Sequence, residues 1–269
     1  MSFNAKYDDL ESNAINSPPV KSGCSRTTVL LSVLIFMVTS AVGLLIADII
    51  TRDNSSDHHS PNPVDPYSGG LENLSNVKQN LMSYYEGPSY SENVYNLTNT
   101  FTAYFTKKFN VRAPNTNENA LPDAVVFDCD ETVLNNYAEV KLQDFAYDKV
   151  KWDQWVETAS APIIPGSLAF YNFLVGKGVK IIFLTGRSVA QTEATKTNLA
   201  ALGLTTYAEL VLRAPEDAKA AASVFKANQR AILAQKYNII GCIGDQVSDC
   251  VGGNTGYIMK LPNFLYYIA

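Results

Sequence analysis

The sequence predicts an α/β protein: a parallel sheet flanked by helices, with a helical lead-in and an N-terminal transmembrane helix. Three observations predict it. Short continuous apolar runs recur between residues 124 and 243, helical periodicity fills the gaps between them, and one long uncharged stretch lies near the N-terminus. Apolar runs of strand length suit strands buried on both faces, and strands alternating with helices imply right-handed crossovers into a parallel sheet. At 269 residues, 46% hydrophobic and with a net charge of −5, the chain is not disordered. Its acidic balance, with no run of Lys and Arg, gives no footprint for a nucleic-acid polymer. Its 4 cysteines are too few for a disulfide scaffold, and none has zinc-ligand spacing.

From Val29 to Ala47 no charge interrupts the apolar run, and Ile49 and Ile50 follow Asp48. At about 1.5 Å per residue such a helix crosses a hydrocarbon core of roughly 30 Å. A cleaved signal peptide is the alternative, but its apolar stretch is normally about 7–15 residues behind a short basic lead. Here residues 1–26 precede the run and include Asp8, Asp9 and Glu11. Residues 27–50 are therefore expected to be an uncleaved signal anchor that meets the membrane over 29–50. Lys21 and Arg26, against Arg52, favour a type II single-pass arrangement. The tail 1–26 would be cytosolic and residues 51–269 lumenal or extracellular. Sequons at Asn54, Asn73 and Asn96 follow the anchor and none precedes it, which permits glycosylation. Cys24 is open to palmitoylation, and Tyr7-Asp-Asp-Leu10 has the form of a sorting signal. Residues 51–69, rich in Pro and Ser, read as a flexible stalk in which His58 and His59 are simply solvated.

A domain then occupies 70–269. Leu71, Leu74, Val77 and Leu81, then Val94, Leu97, Phe101, Tyr104 and Phe105, mark two helices broken at Gly87-Pro88. Strands are expected at Ala124–Phe127, Val179–Leu184, Ala208–Leu212 and Asn238–Ile243, with helices near 166–176, 188–202 and 221–236. The segment between the first two strands carries Tyr137, Phe145, Tyr147, Trp152 and Trp155 and is read as a small cap. Such rings can stack an aromatic substrate, although packing is the better reading for both Trp residues.

Ligands of open parallel sheets bind at the carboxyl ends of the strands. Those ends carry Asp128-Cys-Asp130-Glu-Thr, Thr185-Gly186-Arg187 and Gly244-Asp245-Gln-Val-Ser-Asp249, and the last helix carries Lys226 and Arg230. Asp128, Asp130 and Asp245 would repel one another without a cation, and hard oxygen donors suit Mg²⁺. A phosphoryl group could then be shared among the cation, the Thr185 hydroxyl and the Lys226 ammonium. Asp128, straight off its strand, is the nucleophile candidate. Asp130, on the same side, is the general acid/base. Asp249 would steady Lys226 or a water beside the cation. Lys219 is a rival for Lys226, whose spacing to Arg230 favours it. Cys129, between two carboxylates, reads as an inert filler. Cys242 and Cys250 flank the last motif, and a bond between them is compatible with their spacing without being required by it.

In this order the motifs resemble the haloacid-dehalogenase (HAD) superfamily. Asp128–Asn136, Trp152-Asp-Gln-Trp155, Pro165-Gly166, Phe183–Arg187, Phe225-Lys226 with Arg230, Gly244–Asp249 and Lys260-Leu-Pro-Asn-Phe264 narrow the likeness. They resemble the acid phosphatase group that includes bacterial lipoprotein acid phosphatases and plant vegetative storage proteins, over about residues 71–269. The resemblance implies a HAD-like Rossmannoid sheet and a Mg²⁺-dependent phosphomonoesterase acting through a phosphoaspartate. It implies that Asp128 is the nucleophile, Asp130 the acid/base with its backbone carbonyl on the metal, and Asp245 a metal ligand. It also places Thr185, Gly186 and Lys226 on phosphate, with Arg187 in the same loop, and gives Asp249 and Arg230 supporting roles. The partner would be a small phosphate monoester, among them nucleoside monophosphates. Homodimerisation is compatible with the sequence, and no residue pattern specifies it. A storage or binding protein on the same fold and a phosphotransferase are the competing functions; the retained acidic set argues against the former.

Overall fold

The computed structural model describes residues 73–111 and 120–268, all within the second of the chain's two units, Gly70–Ala269. The tail 1–26, the anchor 27–50 and the stalk 51–69 lie outside the described residues. Among the described residues, no helix is long and apolar enough to cross a membrane.

Two helices lead in: α1 (Leu74–Glu86) and α2 (Pro88–Val111). Asn73 caps α1 by accepting the Ser75 N–H at 2.9 Å. Pro88 opens α2, where a missing N–H and a fixed φ cost nothing. The buried residues of α2 are Tyr90, Val94, Thr98, Phe101 and Phe105, a stripe at helical spacing. Then come β1 (Asp123–Phe127), α3 (Tyr137–Leu142), α4 (Lys149–Glu157), α5 (Pro165–Gly176) and β2 (Lys180–Ser188). They are followed by α6 (Thr192–Ala201), β3 (Glu209–Arg213), α7 (Ala222–Leu233), β4 (Asn238–Gly244) and β5 (Tyr257–Lys260).

The five strands form one sheet in the order β3-β2-β1-β4-β5, every neighbouring pair parallel. β1 is thus central, and its alternate residues feed two cores. Val125 and Phe127 join Ile181 and Phe183 on one face, beneath Phe105 of α2 and Phe170 of α5. Ala124 and Val126 join Ile182, Leu184 and Cys242 on the other, beneath Phe225 and Leu233 of α7. The Phe170 ring lies 5.9 Å from both Phe105 and Phe127, in tilted contacts. Burying one such side chain stabilises the fold by about 1.5–3 kcal/mol, so this double-sided packing is what fixes the carboxyl end of β1 in place.

The expected strands are present, and three details differ. β5 was not foreseen: it is a four-residue edge strand whose Ile258 is exposed, so it lacks the apolar run of a central strand. β2 runs on through Thr185-Gly186-Arg187 to Ser188. The helix expected from 188 starts as a short turn, where Ser188 and Gln191 cap each other, and α6 begins only at Thr192.

Candidate active site

The loop after β1 is built by one carbonyl and one unusual backbone angle. The Asp128 N–H continues the ladder to the Ile243 oxygen at 2.9 Å. The Cys129 oxygen then accepts from Thr132, Val133 and Leu134, while Glu131 sits at φ 50°. Few side chains tolerate that left-handed region, which marks a tight turn held by its surroundings. The turn after β4 is equally tight. The Gln246 N–H donates to Oδ2 of Asp249 at 2.8 Å, and a Cβ on Gly244 would lie 2.2 Å from that oxygen. Only glycine fits there.

These two turns and α7 meet over a single buried ammonium. Nζ of Lys226 lies 2.5 Å from Oδ1 of Asp128 and 2.5 Å from Oδ1 of Asp249. The three side chains are 6%, 8% and 4% exposed. Lys226, not Lys219, is therefore the lysine the fold delivers. Burial drives the Asp128 carboxyl well above the ordinary carboxylate range; Lys226 opposes this, and Asp249, Asp245 and Asp130 add to it. Burial alone would lower the Lys226 ammonium, but Asp128 and Asp249 outweigh it and raise it. Among the described residues, Oδ2 of Asp128 has no hydrogen-bond donor. Arg230 does not reach the cleft: its guanidinium donates to the backbone oxygens of Asp249, Val251 and Gly253 and braces the acidic turn from behind.

Asp130 is held separately. Arg187 donates Nη2 to its Oδ1 at 2.7 Å and Nε to its Oδ2 at 3.0 Å, and Asn136 adds Nδ2 at 3.0 Å. Trp155 in turn fixes Asn136 through Nε1 at 2.8 Å, so it positions as well as packs. The Thr185 hydroxyl is buried and accepts the Arg187 N–H at 3.2 Å, and Gly186 lines the cleft. Cys129 is fully buried, and burial raises its thiol well above the ordinary value, as suits a filler.

Several contributors were not assigned a role from sequence. Oδ2 of Asp245 accepts from Asn263 Nδ2 at 2.7 Å and from Gln246 Nε2 at 2.6 Å, and Thr132 approaches its Oδ1 at 3.4 Å. The Tyr266 hydroxyl donates to Oε2 of Glu131, while Oε1 accepts the Asn136 N–H at 2.8 Å. Asn263 lies within the quoted Lys260–Phe264 motif, which was the one signal for it. Burial, with Asp130 and Asp245 nearby, pushes Glu131 from its ordinary 4.5 up to about 8. A carboxyl raised in the folded state stabilises fully at low pH and loses that contribution as pH climbs through the folded value. With chelator present, the melting temperature of the parent is therefore expected to fall more steeply from pH 5 to about 8.5 than that of Glu131→Gln.

Asp128, Asp245 and Asp249 each offer a carboxylate oxygen within 4.8 Å of the others, all three buried. One ammonium faces two of them, and Asp245 meets only neutral donors. The excess negative charge and all-oxygen donor set fit a hard divalent cation. Of the ligands expected from sequence, Asp128 and Asp245 are in this cluster, Asp249 joins them, and the Asp130 carboxylate is turned to Arg187. The cluster opens into a cleft of about 680 Å³ whose far wall comes from the α3–α4 segment (Phe145, Tyr147, Trp152) and from Tyr266 and Tyr267. The segment read as a cap thus contributes Phe145, Tyr147 and Trp152 to the lining of the cleft.

The chain is similar in sequence and in fold to known proteins. The sequence is 41% identical over 153 residues to the stem 28 kDa glycoprotein of Glycine max, covering 54% of this chain and 60% of that protein. It is 36% identical over 151 residues to acid phosphatase 1 of Solanum lycopersicum, covering 54% and 59%. The matched segment thus spans less than two thirds of either relative. The class C acid phosphatase of Bacillus anthracis superposes with a TM-score of 0.60 at 23% identity, over 72% of this chain and 86% of that one, a likeness of fold. Residues 72–269, which hold the whole acidic cleft, match the sequence model of the HAD superfamily, subfamily IIIB (acid phosphatase), and the chain belongs to that family.

Proposed function

We propose that the chain is a divalent-cation-dependent phosphomonoester hydrolase, with Mg²⁺ as the cation. One observation carries the reading: a buried carboxylate at the end of the central strand, Asp128, anchored through one oxygen by Lys226 and, among the described residues, without a hydrogen-bond donor at the other. Asp128, Asp245 and Asp249 would hold the cation, with the Asp130 backbone carbonyl as the further ligand implied by the family. The cation would supply positive charge to offset the phosphoryl oxygens as charge spreads over them.

The side chains perform the rest. Lys226 and the Thr185 hydroxyl bind the phosphoryl oxygens, and Gly186 leaves room for them beside the backbone. The Asp128 carboxylate attacks phosphorus and the ester oxygen leaves with its electron pair, taking a proton from Asp130. For that, Asp130 parts from Arg187 and takes up a proton from solvent as the substrate enters, and so presents a protonated carboxyl to the leaving oxygen. Asp130 then removes a proton from water, which attacks the phosphorus of the aspartyl phosphate, freeing inorganic phosphate and restoring Asp128. Asp249 keeps Lys226 in register throughout, and Arg230 keeps Asp249 there. The test is phosphate release by the full chain from phenyl phosphates and nucleoside monophosphates, from acidic to neutral pH. Turnover is expected with Mg²⁺ and is expected to vanish on chelation; turnover indifferent to chelator would overturn the cation's role.

Relatives that bear the name vegetative storage protein, such as vegetative storage protein 2 of Arabidopsis thaliana at 35% identity, motivate a storage role as the second reading. The complete Asp128–Lys226–Asp249 set favours the hydrolase. A membrane anchor at 29–50, with the domain lumenal or extracellular, completes the reading. Alkaline carbonate is expected to leave the chain in the membrane pellet, and its appearance in the wash would sink the anchor.

A further inference from the structure

Two cysteines that the proposed chemistry leaves unused are brought together by the fold. Cys242 lies on β4, and Cys250 follows the turn Val247–Asp249; both are buried in the apolar layer beneath α7. Their sulfurs lie 2.7 Å apart, closer than unbonded sulfur atoms rest. The other polar neighbour of the pair is the Asp249 carbonyl, 3.4 Å from the Cys242 sulfur. Cys129, the other described cysteine, packs in the core on the opposite face of the sheet and competes for neither.

The segment these cysteines bracket is the whole acidic turn. It runs from Gly244 through Asp245 and Gln246 to Asp249, so both carboxylates of the turn lie inside the loop that a bond between the cysteines would close. We propose that Cys242 and Cys250 form a disulfide that clamps this turn. The two thiols give up two protons and two electrons to a disulfide oxidant such as oxidised glutathione. That oxidant leaves as two thiols, so one S–S bond is exchanged for another. Because both sulfurs are buried in the folded chain, the exchange takes place before α7 closes over β4. The bond restricts the unfolded chain and leaves the folded turn where it is, so it raises thermal persistence and leaves turnover unchanged. The inference stands whether or not the hydrolase reading does.

The full chain, folded in a glutathione redox buffer, is denatured with an alkylating agent, with and without prior reduction, and digested with trypsin. The peptide Tyr237–Lys260 contains both cysteines and no internal Lys or Arg, so the bond is read within one peptide. Without reduction it is expected to carry no label and to weigh two hydrogens less, while Cys24 and Cys129 are labelled. After reduction all 4 cysteines are expected to be labelled. Labelling of Cys242 and Cys250 in the oxidised sample overturns the proposal, as does a glutathione adduct on either or a link to Cys24 or Cys129. Reduction is expected to lower the melting temperature of the parent by several degrees and to leave that of Cys242→Ala/Cys250→Ala unmoved. An unchanged parent melting temperature overturns the clamp. Should the double variant not fold, the peptide masses decide alone.

Discussion

Asp128→Asn is expected to lower phosphate release by roughly 10³-fold or more, because an amide neither attacks phosphorus nor carries the negative charge that Lys226 organises. The same variant is expected to melt at or above the parent temperature when chelator is present. The reason is the direction of the Asp128 shift: burial holds its carboxyl well above the ordinary range, so ionising it at neutral pH costs folding free energy. A neutral isostere removes that cost. Activity and stability should therefore move in opposite directions, as expected of a group kept for chemistry at the expense of stability. Phosphate assay and calorimetry on one preparation check both. A variant that loses activity only because it melts far below the parent would contradict the assignment.

Lys226→Met is expected to be the most destabilising single change in the cleft. It leaves the buried Asp128 and Asp249 carboxylates without their shared ammonium, and removing one partner of a buried pair costs about 3–5 kcal/mol. At about 2–4 °C per kcal/mol for a domain of this size, the melting temperature should fall by roughly 6–20 °C. Mg²⁺ should raise the melting temperature of the variant more than that of the parent, since a dication restores positive charge beside the uncovered carboxylates. A solvated surface lysine at this position would give neither result.

The sheet was legible because β1, β2 and β4 are buried on both faces and therefore read as continuous apolar runs. β5 was not, because an edge strand with Ile258 exposed and Lys260 at its end gives no such run. Within the cleft, charge was the legible signal. Asp128, Asp130, Asp245 and Asp249 stand out at strand ends, and Lys226 stands out by its spacing to Arg230. The neutral partners were signalled only by the motifs that contain them. Asn263 reaches Asp245 from the segment after β5, and Asn136 reaches Asp130 from the loop before α3; an amide carries no charge that would assign it a role within its motif. The fork of Arg187 on Asp130 was missed for a related reason. A cation in a phosphate loop is read as a ligand for phosphate, whereas here a carboxylate occupies it.

The wiring of the cleft has a consequence for how it is made. Asp128 finds Lys226 across 98 positions of sequence, Thr132 finds Asp245 across 113, and Glu131 finds Tyr266 across 135. Contacts this distant close slowly, because the entropy of closing a large loop is lost before the contact forms. A ribosome adding about 5–20 residues per second needs about 7–28 seconds to go from Asp128 to Tyr266. During that interval Asp128 exists on a chain that has neither Lys226 nor the braces of the later segments. The acidic cleft therefore cannot assemble piecemeal during synthesis: the central strand is among the first sheet elements made, and the residues that meet its end are among the last.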